Sequence, residues 1–418
     1  MLLAFFIPLF FSVPIAISLG IAAMAVILGF NLVPPSFFIQ TAFLSSDSFS
    51  MLAIPFFILA GDLMLHGGIS KRLVNFCTVL LGAVPGSMGL VCVLASMIFA
   101  AISGSGPATV AAIGGIMIPV MVQDGYDRSF SCTLAACSGS MGPIIPPSIA
   151  FVMYGIVAGV SIGDLFKAGI LPGILMGVAL MLIVIFFSKK NGYGTIHKGA
   201  SARELLASFK DAILALMVPV IILGGIYSGI FSPTESAIIA CDYALVLGLF
   251  IYKEIRIKDL PGIFARTALT CGTCLILVAM ASCFGKVITL LGVPKMLAAA
   301  IYSISTDKIV VLLIINVLLF ITGMFMETVA AILILAPLLL EVVTPLGVNP
   351  IHFGVMMVVN LVIGMCTPPV GCNLFIASRI GGIKMEKMFK WLFPMVGILL
   401  VVVLIITYIP GIALILVR

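Results

Sequence analysis

Three stretches without a single Asp, Glu, Lys or Arg, residues 1–46, 73–123 and 342–378, decide what this chain can fold into. Each is longer than the ~20 apolar residues that one helix needs to cross a bilayer. Only 9% of the residues are charged, against about 25% in a soluble domain. With 63% hydrophobic residues and a mean hydropathy of +1.37, the solvent is lipid. Transmembrane strands would alternate in polarity over about ten residues, whereas these stretches are apolar on every face, and only helices satisfy their own backbone in hydrocarbon. The fold class is therefore an all-α polytopic membrane protein.

The net charge of +6 comes from basic residues that fall between apolar segments, where they report orientation and call for no nucleic-acid partner. Most of the ten cysteines lie inside apolar segments as small hydrophobes, and the Cys271/Cys274 pair has no context for redox or metal use. Residues 1–30 lack a basic start and a small-residue cleavage site, so they are expected to be the first span and not a removed signal peptide.

Charged or Pro/Gly-rich joints leave ten candidate spans: 4–30, 51–66, 71–91, 130–162, 168–187, 212–231, 236–252, 267–292, 352–379 and 391–417. Two pieces, 92–122 and 309–345, are too long for one span and break at small residues instead of charges, as re-entrant hairpins do. Lys189, Lys190, Lys198, Arg203 and Lys210, and again Lys253, Arg256, Lys258 and Arg266, mark cytoplasmic joints. Counting spans from them places both termini outside and Arg379, Lys384, Lys387 and Lys390 inside.

The chain also repeats itself. Thr109-Val110-Ala111-Ala112 returns as Thr328-Val329-Ala330-Ala331 at an offset of 219, and Pro146-Pro147 returns as Pro368-Pro369 at 222. The span count gives the two halves opposite topology, the mark of an inverted-repeat transporter. The expected organisation is scaffold spans over 1–70, transport spans over 71–187 with hairpin one (92–122) and a broken helix (130–162), and a cytoplasmic connector over 188–211. Scaffold spans over 212–265 and transport spans over 266–418, with hairpin two (309–345) and a second broken helix (352–379), complete it. Within the connector, Arg203, Glu204, Leu205, Leu206, Phe209 and Lys210 suit an amphipathic helix on an anionic membrane surface, or a solvated linker.

Each half carries one hairpin tip and one helix interrupted at a double proline. Proline frees carbonyls that need another partner; in secondary transporters unwound carbonyls hold the coupling cation while half-helix N-termini face anionic substrate groups. The candidate cation ligands are Ser103, Gly104, Ser105, Gly142, Pro143 and Ser148 in the first half, and Gly323, Met326, Glu327, Thr328, Gly364, Thr367 and Pro368 in the second. Ser105, Pro146, Pro147, Lys286, Pro369 and Asn373 are candidates for the substrate. Glu327 is the intramembrane carboxylate most suited to a cation site or a gating role, with a structural hydrogen bond to the neighbouring break as the alternative, whereas Asp62 and Asp242 read as interfacial or structural. Lys286 can reach a carboxylate or snorkel to the interface.

Enzyme motifs fail: there is no P-loop, so no ATPase, no dinucleotide fingerprint and no HExxH. One enzyme reading is an intramembrane serine protease that pairs Ser103, Ser105 or Ser140 with His352. Its weakness is that the special features occur twice while a protease needs one nucleophile and one base.

Four runs carry a resemblance: Ser50-Met51-Leu52-Ala53-Ile54-Pro55-Phe56-Phe57-Ile58-Leu59-Ala60-Gly61, the tip Ser103-Gly104-Ser105, the break Gly142-Pro143-Ile144-Ile145-Pro146-Pro147-Ser148 and the stretch from Gly224 to Glu235. Over nearly its whole length the chain resembles the large membrane subunit of tripartite ATP-independent periplasmic (TRAP) transporters. The resemblance implies an elevator-type sodium symporter for organic acids in the bacterial inner membrane, with sodium as coupling ion and no cofactor. It further implies two partners, a small four-helix membrane subunit on a separate chain and a periplasmic substrate-binding protein, and puts Ser103, Ser148 and the second-half tip and break at the sodium and substrate sites. A stand-alone carboxylate transporter of related architecture is the alternative.

Overall fold

The computed structural model describes residues 2–82, 84–194 and 200–417, and among them every regular element is helical. Lys198, used above to orient the chain, lies outside the described residues. Among the described residues eight helices are long and apolar enough to cross a membrane, including Phe49–His66, Ile162–Asn191, Ala202–Tyr227, Ile257–Leu290 and Met385–Tyr408.

The same succession of elements occurs twice. In the first half, helix Ala53–His66 is followed by a short helix Ile69–Leu81, a hairpin of Ser87–Ser103 and Gly106–Gln123, an interrupted helix of Arg128–Gly139 and Ile149–Ala158, and the long helix Ile162–Asn191. In the second half come helix Leu260–Leu290, short helix Val293–Ile304, a hairpin of Lys308–Phe325 and Thr328–Val343, an interrupted helix of Pro350–Gly364 and Cys372–Gly381, and helix Phe389–Tyr408.

The register of the two tips is set by their caps. Ser105 stands at the N-cap of hairpin one's second limb and Glu327 at the N-cap of hairpin two's, the same 222-residue offset as the double prolines. The Thr-Val-Ala-Ala match is thus three residues out of structural register, because Gly106-Pro107-Ala108 opens the first limb ahead of Thr109 while Thr328 opens the second.

Segment 71–91 is not one span. Helix Ile69–Leu81 is 13 residues long and amphipathic, and hairpin one's first limb already begins at Ser87. The short helix packs along the start of helix Ala202–Tyr227, with Phe76 and Phe209 ring centroids 5.9 Å apart. Its first turn is pinned by Arg72, which bridges Asp211 at 3.5 Å and Glu254 at 3.7 Å and lies over the Tyr252 ring. His66, just before it, meets Arg266 at 2.9 Å. Residues 66–72, 211 and 252–266 therefore share one end of the molecule, although the span count put the turn at 67–68 on the opposite side from the other two. The side of the N-terminus does not follow from that count.

The connector's amphipathic stretch is the opening of helix Ala202–Tyr227, started by a capping box in which Ser201 and Glu204 satisfy each other's backbone N–H groups. Leu205, Leu206 and Phe209 stay exposed there. At the other end of the molecule helix Val293–Ile304 takes the matching position, and its Tyr302 hydroxyl donates to the Val342 carbonyl at 2.6 Å.

Candidate transport site

The tips and breaks are assembled by glycines. Gly104 sits at φ +59°, and a Cβ there would stand 2.7 Å from the Pro147 carbonyl oxygen, so tip one lies directly on break one. Gly142 faces the carbonyl of Ser105 with no room for a side chain, and Gly364 faces Gly323 in the same way, a Cβ meeting the Gly323 carbonyl carbon at 2.5 Å. Gly323 in turn abuts the Leu361 carbonyl, and Val370 N–H donates to the carbonyl of Met324, two residues before Met326. Each tip is thus clamped to the break of its own half. Both double prolines, Pro146-Pro147 and Pro368-Pro369, have cis peptide bonds.

The halves interlock at the breaks. Asn373 lies against Gly106 of tip one, and its amide donates to the Ala136 carbonyl at 3.4 Å, as does the Cys366 thiol at 3.3 Å. Tyr154 hydroxyl donates to the Pro350 carbonyl at 2.6 Å.

Hydroxyls and one carboxylate cap the half-helices. The Ser148 hydroxyl donates to the Pro143 carbonyl and accepts from Phe151 N–H at 3.1 Å. Ser103 and Thr109 hydroxyls are 2.9 Å apart, and Thr109 donates to the Ser105 carbonyl at 2.8 Å. Glu327 accepts from Val329 N–H at 2.8 Å and Ala330 N–H at 3.2 Å, which sets its charge at the positive end of the second limb. Thr328 hydroxyl reaches the Met365 sulfur at 2.8 Å, and Thr367 hydroxyl bonds back to the Ile363 carbonyl at 3.0 Å.

A cavity of about 350 Å³ opens where both tips meet the rest of the molecule. Of the sequence-predicted residues it brings together Ser103, Gly104, Ser105, Pro143, Glu327 and Thr328; Gly142, Ser148, Gly323, Met326, Gly364, Thr367, Pro368 and Asn373 stand behind this surface or away from it. Pro146, Pro147 and Pro369 do not line it either. Lys286 lines a different cavity of about 400 Å³, with Ser45, Ser48, Ser282, Gly285 and Thr289.

Sequence reasoning missed the opposite wall: Ile58, Gly61 and Asp62 of helix Ala53–His66, and Thr270 and Cys274 of helix Leu260–Leu290. These helices have no break to flag them. The one available signal was Asp62, a carboxylate inside an apolar run, here accepting from the Thr267 hydroxyl at 2.8 Å.

The protease constellation is not assembled. His352 is buried with Nε2 on the Ile406 carbonyl at 2.9 Å, while Ser103 is paired with Thr109 and Ser140 bonds to the Cys137 carbonyl at 2.5 Å.

The fold is that of known membrane transporters. Over 91% of this chain and 90% of that one, it superposes on the YdaH transporter of Alcanivorax borkumensis with a TM-score of 0.65 at 16% identity. It also superposes on the MtrF efflux pump of Neisseria gonorrhoeae with a TM-score of 0.62 at 10% identity, over 88% and 83% of the two chains. Relatives by sequence are permease subunits and not enzymes. The isethionate TRAP transporter permease protein DctMQ of Oleidesulfovibrio alaskensis is 48% identical over 96% of this chain, which spans 63% of that relative's length. The large permease protein DctM of Pseudomonas aeruginosa, named for C4-dicarboxylates, is 40% identical over 89% of this chain and 87% of its own. SiaM of Vibrio cholerae, named for sialic acid, is 39% identical over 98% and 95%. With the model of the TRAP transporter DctM component matching residues 2–412, the chain belongs to the DctM family of tripartite ATP-independent periplasmic transporter permeases.

Proposed function

We propose that this chain is the permease of a sodium-coupled uptake system for a small organic acid, working with a small membrane subunit and a periplasmic binding protein in the bacterial inner membrane. The observation that carries this reading is that two hairpin tips and a proline break converge on one cavity against two unbroken helices. Carbonyls and hydroxyls at the breaks suit sodium, and the N-terminus of hairpin one's second limb, where Ser105 and no carboxylate stands at the N-cap, suits an anion. In this reading Ser103, Ser105, Pro143, Ser148 and the matching second-half positions Glu327, Thr328, Gly364 and Thr367 serve the cations, and Asn373 and Lys286 serve the anion. The hairpins and broken helices form the moving body of an elevator, with the halves inverted in the membrane.

The relatives named for isethionate, C4-dicarboxylates and sialic acid set the substrate panel. Vesicles carrying the permease with its partner subunits should take up one of these labelled acids when sodium is high outside. Uptake that is equal in potassium, or undiminished when the binding protein is omitted, overturns the corresponding part of this reading.

A further inference from the structure

Helix Leu260–Leu290 runs past both cavities. Thr270 and Cys274 line the tip cavity, while Val278, Ala281 and Gly285 continue the same stripe into the second cavity. The positions recur at the spacing of one helix face. The same stripe therefore faces two stations, one beside the tips as they stand and one about 18 Å further along the helix, from Cys274 to Lys286 at ~1.5 Å per residue.

The two stations have opposite charge. The second carries Lys286, whose ammonium lies 5.9 Å from the Phe37 ring, and no carboxylate lines it. The first carries Asp62 and Glu327, and no Lys or Arg lines it. Glu327 is already held by two backbone N–H groups. Asp62 has one hydroxyl partner, Thr267, and takes part in none of the ion pairs among the described residues. Arg266, which precedes Thr267 in the chain, is turned onto His66, whose Nδ1 meets the Asp62 carbonyl and not its carboxylate. Asp62 stands at the end of the molecule that gathers Arg72, Arg266, Asp211 and Glu254.

Resting on the transporter reading above, we propose that Asp62 is a release residue. An anion carried by the tips arrives from the Lys286 station at a wall bearing an unneutralised carboxylate, and the like charge lowers its hold and favours discharge. Interactions that weaken binding at the release step raise turnover, at the cost of an apparent affinity that would be tighter without them.

Asp62→Asn keeps an acceptor for Thr267 and removes the charge. In vesicles with both partner subunits, it should lower the maximal uptake rate and KM together, roughly threefold or more, while exchange of internal for external substrate persists. Asp62→Glu should restore wild-type values, and Thr267→Val, which removes only the hydroxyl partner, should leave them unchanged. An unchanged rate and KM in Asp62→Asn, a raised KM, or an altered sodium dependence would each overturn the role, the last by making Asp62 a cation ligand. Equilibrium binding of labelled succinate, a hydroxyalkylsulfonate and a sialic acid to the solubilised permease separates this from failure of the transport reading. The Asp62→Asn protein should hold at least one of them more tightly than wild type whether or not sodium drives uptake. Equal binding of all three by both proteins sinks the inference on its own.

Discussion

Gly142 and Gly364 are where the smallest change should have the largest effect. Each lets a break touch the backbone of its own tip, Ser105 in one half and Gly323 in the other, and a methyl group has no space at either place. Overpacking a site of this kind costs about 1–3 kcal/mol. Gly115 of hairpin one has nothing within 4 Å of where its Cβ would be, and alanine in a helix gains about 0.5–1 kcal/mol over glycine. Thermal unfolding of the purified protein should therefore show Gly142→Ala and Gly364→Ala lowered, with uptake lost, and Gly115→Ala level or raised. Equal behaviour of all three would mean that the tips are not clamped as described. Gly142 and Gly364 were legible because each stands four residues ahead of a double proline in an apolar run. Of the opposite wall only Asp62 gave a signal, as a lone carboxylate in an apolar run; Thr270 and Cys274 gave none, because they lie on a helix without a break and meet the tips only through the fold.

Elements were easier to find than their ends. The hairpins and double-proline breaks follow from length and from Gly and Pro, since irregular backbone survives at membrane depth only where protein or a cavity satisfies it. The amphipathic helix Ile69–Leu81 falls inside the expected span 71–91, because a hydropathy window passes over a turn such as Pro85-Gly86 without a charge to stop it, and its counterpart Val293–Ile304 falls between the span 267–292 and hairpin two, assigned to neither. The contacts that fix the element ends are equally non-local. Trp391, the chain's only tryptophan, donates to the Asp127 carboxylate at 3.2 Å and packs edge-on to Phe130 and Phe187, tying helix Phe389–Tyr408 to the start of the first broken helix. Burial pushes the Asp127 carboxyl up, but hydrogen bonds from Ser129, Phe130 N–H and Trp391 outweigh it and leave the group below its usual range. A depressed carboxylate contributes stability above its unfolded pKa and loses it as pH falls through the folded value. Trp391 emission should hold steady from neutral pH down to about pH 4, near the ordinary aspartate value, and change only below it. In Asp127→Asn that acid transition should vanish; its persistence would assign the change to another group.

At the scale of the molecule, the two halves divide the labour by position. Tips and breaks are clamped within each half and interlocked between halves through Asn373, Cys366 and Tyr154, so they form one body. Helices Ala53–His66 and Leu260–Leu290 supply the wall that body faces. Sliding of the one against the other has a direct check in a background with the remaining cysteines replaced. Cys274 should crosslink to Val329→Cys in one set of sodium and substrate conditions, and Ala281→Cys to the same partner in another. One crosslink formed under all conditions would make tips and wall a rigid unit.

The 31 residues of helix Leu260–Leu290 measure about 46 Å end to end, whereas the hydrocarbon of a typical bilayer is about 30 Å thick. In the elevator reading proposed above, a wall that outreaches the lipid core makes the moving body work in part against the surrounding acyl chains. Lipid is then a mechanical component of the machine. A stretch longer than the hydrocarbon is accommodated by tilting or by local thickening of the bilayer, at a cost that grows with the mismatch, so turnover measured across vesicles of graded chain length should peak at one thickness and fall on both sides, while substrate affinity stays flat.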